Sequence, residues 1–255
     1  MSTSDGGHRS EAVAAIADRE YGTAGDRYTR AGRRVLADPR PDVDPFAPDP
    51  KGWVGVGVGY LATAAVCYRV AGAGERATRR SVEGIAVARD LAAGLDRPLQ
   101  RACLAEFVAD FRAIGGTGDA AAAYEEAADA YESSPPDERG PQYWGTTPLF
   151  EAAAAPIKQV ARTLDNGEIA VTWEDLHGSD PADPGAFLAA RPTYKRQRFP
   201  GLLERVTEAG VLAAPRGTTE YSTDHHRCPD CGSTDVNWAA ENTLCLRCSR
   251  PTAEQ

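Results

Sequence analysis

Apolar positions recur along most of this chain three and four residues apart, the helical period, and clusters of turn residues interrupt them. Residues 11–36 read as two helical stretches placed around Gly22-Thr23-Ala24-Gly25. Asp38 to Pro50 follows as DPRPDVDPFAPDP, whose prolines and aspartates predict an extended connector. Two more helices are predicted over 54–70 and 75–95, with Ala71-Gly72-Ala73-Gly74 as the turn. The stretch 98–114 carries Leu104, Phe107, Val108 and Phe111 at i, i+3, i+4 and i+7, an amphipathic set. Gly115-Gly116-Thr117-Gly118 closes it, and 119–132 is its partner helix. The pattern thus predicts three helical hairpins over 11–133, preceded by a disordered segment at 1–10.

Residues 134–147, rich in proline, glycine and charge, are expected to be a linker. Beyond them Phe150, Ala153, Ala154, Ile157, Val160, Ala161 and Leu164 draw an apolar stripe that ends at Asn166-Gly167. Thr172 caps a short Trp-Glu-Asp-Leu segment, and 178–185 reads as a loop. Leu202, Leu203 and Val206 mark a helix entered at Pro200, a residue suited to the first helical position. It runs into Ala209-Gly210-Val211-Leu212 and a glycine-containing hairpin at 216–221.

An internal repeat supports the hairpins. Gly22, Ala24, Tyr28, Ala31 and Pro39 recur at the same spacing as Gly118, Ala120, Tyr124, Ala127 and Pro135. The middle hairpin has Ala77, Ser81 and Gly84 at the corresponding places. This pattern resembles the second helix of tetratricopeptide repeats over about half the chain. It departs from that family in lying farther apart than the period of about 34 residues. The tryptophan and leucine-glycine signature of the first helix is also missing. An unrelated bundle of closely packed alanine-rich helices is the other reading. The order of elements over 148–222 resembles a winged helix-turn-helix domain, with a longer loop at 178–185 and Pro200 interrupting the reading helix.

The formal net charge of −9 argues against non-specific nucleic-acid binding by the whole chain. Only Lys51, Lys158 and Lys195 are lysines among 28 basic residues. An acidic, alanine-rich, lysine-poor chain resembles proteins of halophilic archaea. Residues 1–10 lack the apolar core of a secretory leader. The apolar run Trp53–Tyr68 is shorter than the ~20 residues that span a bilayer. The expected location is therefore cytoplasmic, where thiols stay reduced and paired cysteines imply metal rather than disulfides.

Cys228-Pro-Asp-Cys231-Gly232 is a knuckle that turns two thiolates toward one ion, and Cys245-Leu-Arg-Cys248 supplies the second pair. Four thiolates at this spacing predict one structural zinc ion with no position left for water. The C-terminal segment 223–250 resembles a zinc ribbon, although Ser249 stands where a second glycine is common. His225 and His226 read as solvent-exposed, and Cys67 and Cys103 as small buried apolar residues. Gly55, Gly57 and Gly59 follow no strand, so close helix packing explains them better than a dinucleotide loop. Glu174 and His177 have the Glu-x-x-His spacing but lack the second copy that carboxylate-bridged metal sites need.

Arg191, Tyr194, Lys195, Arg196 and Arg198 form a basic stretch with interleaved aromatics and are candidate nucleic-acid or partner contacts. The alternative is an arginine-rich face paired with the protein's own carboxylates. The fold class expected is mainly α: tetratricopeptide-like hairpins, a small α(+β) middle domain over 148–222, and a zinc ribbon. The expected function is a non-catalytic adaptor that binds a partner protein, of unstated stoichiometry and away from membranes. A nucleic-acid-binding regulator using 148–222 is the alternative, and an enzyme of unrecognised type the third reading.

Overall fold

Close approach of small residues sets the first half of the molecule. The computed structural model describes residues 5–38, 43–47, 52–135, 139–180 and 183–254. Six helices follow one another: α1 (His8–Ala17), α2 (Tyr21–Ala37), α3 (Val54–Val70), α4 (Gly74–Ala93), α5 (Pro98–Gly115) and α6 (Ala120–Glu132). Each packs against the next. The helix α1 begins within the segment expected to be disordered, because Ser10 Oγ is anchored to the Ala240 carbonyl at 2.6 Å. Residues 1–4, 39–42 and 48–51, including much of the expected connector, lie outside the described residues.

The turn expected at Gly22–Gly25 falls instead at Asp18-Arg19-Glu20, where Arg19 takes φ 66°. Gly25 is a packing residue rather than a turn residue: a Cβ there would lie 2.6 Å from the Tyr68 ring of α3. Gly57 serves α3 the same way, since a Cβ there would lie 2.6 Å from Leu36. The repeated tyrosines Tyr28 and Tyr124 are both buried, exposed by 2% and 0%, but their partners differ: Tyr28 meets the Tyr60 ring of α3, and Tyr124 donates to Asp110 of α5. In the middle hairpin Gly84 takes the place of an alanine because the Phe111 ring of α5 lies where its Cβ would be.

Four helices complete the helical part: α7 (Pro141–Gly145), α8 (Pro148–Leu164), α9 (Trp173–Leu176) and α10 (Pro184–Ala209). The expected linker contains α7, whose Trp144 is buried against Phe150 with ring centroids 6.0 Å apart. The helix α8 packs on α3 and α5, and α10 on α6 and α8, so one apolar core runs across 134–147. Consequently the hairpins do not present an open groove on the α3 and α5 side; the chain's own α8 covers it. The helix expected to start at Pro200 is the second half of α10, which passes through both Pro192 and Pro200. Each interior proline costs about 3 kcal/mol. The buried stripe Leu188, Arg191, Lys195, Phe199, Leu203 and Val206, continuous along the helix, offsets that cost. No helix among the described residues is long and apolar enough to cross a membrane.

Two residues of that stripe are cations, and their partners come from α5. Arg191 binds Glu106 through Nε at 2.7 Å and Nη2 at 2.8 Å, a fork on both carboxylate oxygens. Lys195 Nζ lies 2.6 Å from Asp110, 2.7 Å from Glu106 and 2.6 Å from the Ala153 carbonyl of α8. Its three donors therefore meet three acceptors. From α6, Tyr124 donates to Asp110 at 2.6 Å and Tyr131 to Glu106 at 3.2 Å. Burial resists ionisation of Glu106, but Arg191 and Lys195 overcome it and hold this carboxyl down at about 2. Burial pushes the Asp110 carboxyl up to about 6, opposed by Lys195 and reinforced by Glu106.

Lys195→Met should therefore destabilise the protein by about 3–5 kcal/mol in urea unfolding, because two carboxylates are left with one cation. The double variant Lys195→Met/Asp110→Asn should recover part of that loss, and strictly additive losses would contradict the coupling.

Candidate metal centre

Beyond α10 the chain forms β1 (Thr218–Glu220), β2 (His226–Arg227), β3 (Val236–Ala239), β4 (Asn242–Cys245) and β5 (Ala253–Glu254). The strands β1, β3 and β4 make an antiparallel sheet in that order, and β2 pairs with β5. A winged helix would need its wing to pair locally. Here β1 instead pairs with β3, Thr218 opposite Trp238, so the expected wing belongs to the cysteine-bearing sheet.

Two turns with one hydrogen-bond pattern carry the cysteines. In the first, the Gly232 amide donates to the Cys228 carbonyl at 2.9 Å and the Cys228 amide to the Ser233 carbonyl at 2.8 Å. In the second, the Ser249 amide donates to the Cys245 carbonyl at 2.9 Å and the Cys245 amide to the Arg250 carbonyl at 2.7 Å. Gly232 takes φ 74°, a conformation glycine adopts without penalty. Ser249 takes φ 60° in the equivalent place. Its hydroxyl accepts the buried Ala214 amide at 2.9 Å, which gives a serine there a role glycine would lack.

The four sulfur atoms lie within 4.8 Å of one another and can hold one metal ion. Cys228–Cys248 and Cys231–Cys245 are 3.5 Å apart, and Cys231–Cys248 3.7 Å. A tetrahedral ion with metal–sulfur bonds of about 2.3 Å requires sulfurs about 3.8 Å apart, so the donor set fits. A hydrogen bond with Cys248, opposed by burial and aided by the backbone amides of Cys248 and Arg247, holds the Cys245 thiol down at about 5. Neither His225 nor His226 joins the cluster; His225 is exposed, and His226 meets the Trp238 ring edge-on.

The sheet is fastened to the helices on two sides. Arg250 Nη1 donates to the Ala17 carbonyl at 2.7 Å and Arg19 Nη2 to the Cys248 carbonyl at 2.8 Å, tying the second cysteine turn to α1. Arg247 bridges Asp235 of the ribbon, at 2.7 Å, and Glu168 of the α8–α9 connection. The metal centre is thus built into the helical body.

The basic stretch divides. Arg191 and Lys195 are 1% and 0% exposed and sit in the core with Glu106 and Asp110, so neither can reach a nucleic acid or a partner. The physical reason is helical phase: both fall on the buried stripe of α10. Arg196 faces Glu125 at 3.5 Å, Tyr194 is half-buried, and Arg198 is exposed. Glu174 is exposed, whereas His177 is buried and stacks on Trp173 at 3.7 Å, so the two do not converge. Glu106 and Asp110 are missed by motif reading. Their signal is that both lie in phase with Cys103, Phe107, Phe111 and Ile114 on the buried face of α5.

Comparison with protein-family models, with curated proteins and with solved structures gives no match for this chain.

The purified protein should carry one metal ion per chain by elemental analysis, and Cys231→Ser should abolish stoichiometric binding. Ser249→Ala should cost about 1–3 kcal/mol, because the Ala214 amide is left buried and unpaired. Ser249→Gly should cost less, since glycine relieves the backbone. A larger loss for glycine than for alanine in thermal unfolding would overturn this account of Ser249.

Proposed function

We propose that the protein is a non-catalytic adaptor in which a zinc ribbon staples a tetratricopeptide-like helical body that binds another protein. Zinc is the reading that four thiolates in a closed tetrahedral set support best. The clustered acids and bases of α5 and α10 are sealed in the core and serve architecture, which leaves recognition to the outer surface.

The observation that carries the reading is an arginine-rich hollow on the hairpins. A cavity of about 260 Å³ is lined by Arg30, Arg33, Arg76, Arg79 and Arg80 of α2 and α4, with Asp26 and Tyr68. Asp26, Glu75 and Glu83 pair with four of the five arginines, leaving an excess of positive charge in a chain whose net charge is −9. Arg33 and Arg79 have side chains exposed by 58% and 75%, so their ion pairs are surface pairs that hold them weakly. Such a patch suits an acidic segment of a partner protein. The nucleic-acid reading keeps only Tyr194, Arg196 and Arg198 of its five contacts.

The test is capture of partners by the intact protein from extract of its native cell, with and without nuclease. The adaptor reading expects one protein held stoichiometrically, unaffected by nuclease, and lost from the Arg33→Glu/Arg79→Glu variant at unchanged melting temperature and zinc content. Capture that vanishes with nuclease would favour the regulator instead. Iron in place of zinc would overturn the assignment of the metal.

A further inference from the structure

A second, larger cleft of about 610 Å³ lies beside α8, where the chain leaves α10 for the ribbon. Three cations line it: Lys158 and Arg162, one turn apart on α8, and Arg216 just ahead of β1. Among the described residues no aspartate or glutamate does. Arg162 forms the floor at 7% exposure, and its guanidinium donates to the Ala214 carbonyl. Arg216 donates to the Gly167 carbonyl, Thr219 and Tyr221, all uncharged. The carboxylate that acts on Lys158 is Glu151, two turns back along the helix. Burial, together with the like charge of Arg216, holds Arg162 down at about 10. Gathering uncompensated cations in a partly dry cleft is unfavourable unless an anion completes the set.

The other wall is apolar and unusually open. Ile169 and Trp173 line it at 61% and 37% exposure, two of the few large apolar side chains on the described surface. Pro215 continues the wall. Large exposed apolar groups rimmed by charge mark binding sites. The volume falls within the roughly 300–1,000 Å³ of small-molecule sites.

The ribbon fixes one side of this cleft. Asn237 of β3 donates to the Pro215 carbonyl at 3.1 Å and accepts the Gly217 amide at 2.7 Å, holding the backbone on both sides of Arg216.

We propose that this cleft binds an amphipathic small-molecule anion, with its phosphate or carboxylate head on Lys158, Arg162 and Arg216 and its apolar body against Trp173 and Ile169. The site stands apart from the arginine hollow on α2 and α4, and does not depend on the adaptor reading.

The test uses the intact, metal-loaded protein and 8-anilinonaphthalene-1-sulfonate, an apolar aromatic anion, as the reporter. Adenosine monophosphate and decanoate are the competing anions; adenosine and decanol are their neutral counterparts. The dye should bind at one site, and at least one anion should displace it about tenfold more effectively than its neutral counterpart. Displacement by the nucleotide assigns a phosphate head, and displacement by decanoate a carboxylate on an acyl body. Lys158→Gln/Arg216→Gln should weaken dye binding about tenfold or more at unchanged melting temperature and metal content. Ile169→Asp, which alters an exposed side chain and leaves the three cations, should also weaken it. Neutral compounds competing as well as the anions, no displacement by either anion, or dye binding untouched by both variants would each overturn the proposal. So would concentration-dependent self-association that the same variants abolish, since the cleft would then be an interface between copies.

Discussion

Two carboxylates and two cations shut away from water hold this structure to one arrangement. Each pair bridges 85 residues of sequence, Glu106 to Arg191 and Asp110 to Lys195. Taking any one of these charges from water alone is prohibitive, but as a neutral set with tyrosine hydroxyls and helix carbonyls as further partners they satisfy one another. An apolar stripe tolerates a helix sliding along its neighbour; a fork of hydrogen bonds does not. The register of α10 against α5, α6 and α8 follows from the quartet, whereas the sheet beyond Gly210 takes its place from α1 and from the α8–α9 connection.

The metal centre constrains the same molecule from the outside. Its second cysteine turn is bonded to the end of α1, and Arg247 reaches the connection between α8 and α9. The cleft floored by Arg162 lies between these two constraints, one wall on a helix set by the quartet and the other on backbone set by the ribbon.

How much of this the sequence disclosed varied with the range of the interaction. The cysteine cluster was legible because its four ligands fall within one short segment at a spacing fixed by coordination. The stripe of α8 was legible because Phe150, Ala153, Ile157 and Val160 repeat with the helical period. The packing role of Gly57 could be read from the absence of a preceding strand. Arg191 and Lys195 were left between two readings, because local composition cannot tell a cation facing solvent from one facing a carboxylate 85 positions away. Helical phase held the missing clue, since two acids at i, i+4 on the buried stripe of α5 match two bases at i, i+4 on that of α10. Local rules also misplaced the end of α1, where Gly22 and Gly25 suggested a turn, and the start of α10, where Pro200 suggested a first helical turn. In each case tertiary packing outweighed a propensity of a few kcal/mol.

The quartet has a chemical consequence for so arginine-rich a chain. Of its three lysines, Lys195 is 0% exposed with every ammonium proton engaged, so amine-directed reagents and lysine-modifying enzymes cannot reach it in the folded state. Lys51 lies outside the described residues. Lys158, exposed beside the anion cleft, is left as the accessible amine of the described body. Acylation at that single position would cancel one of the three charges that give the cleft its sign.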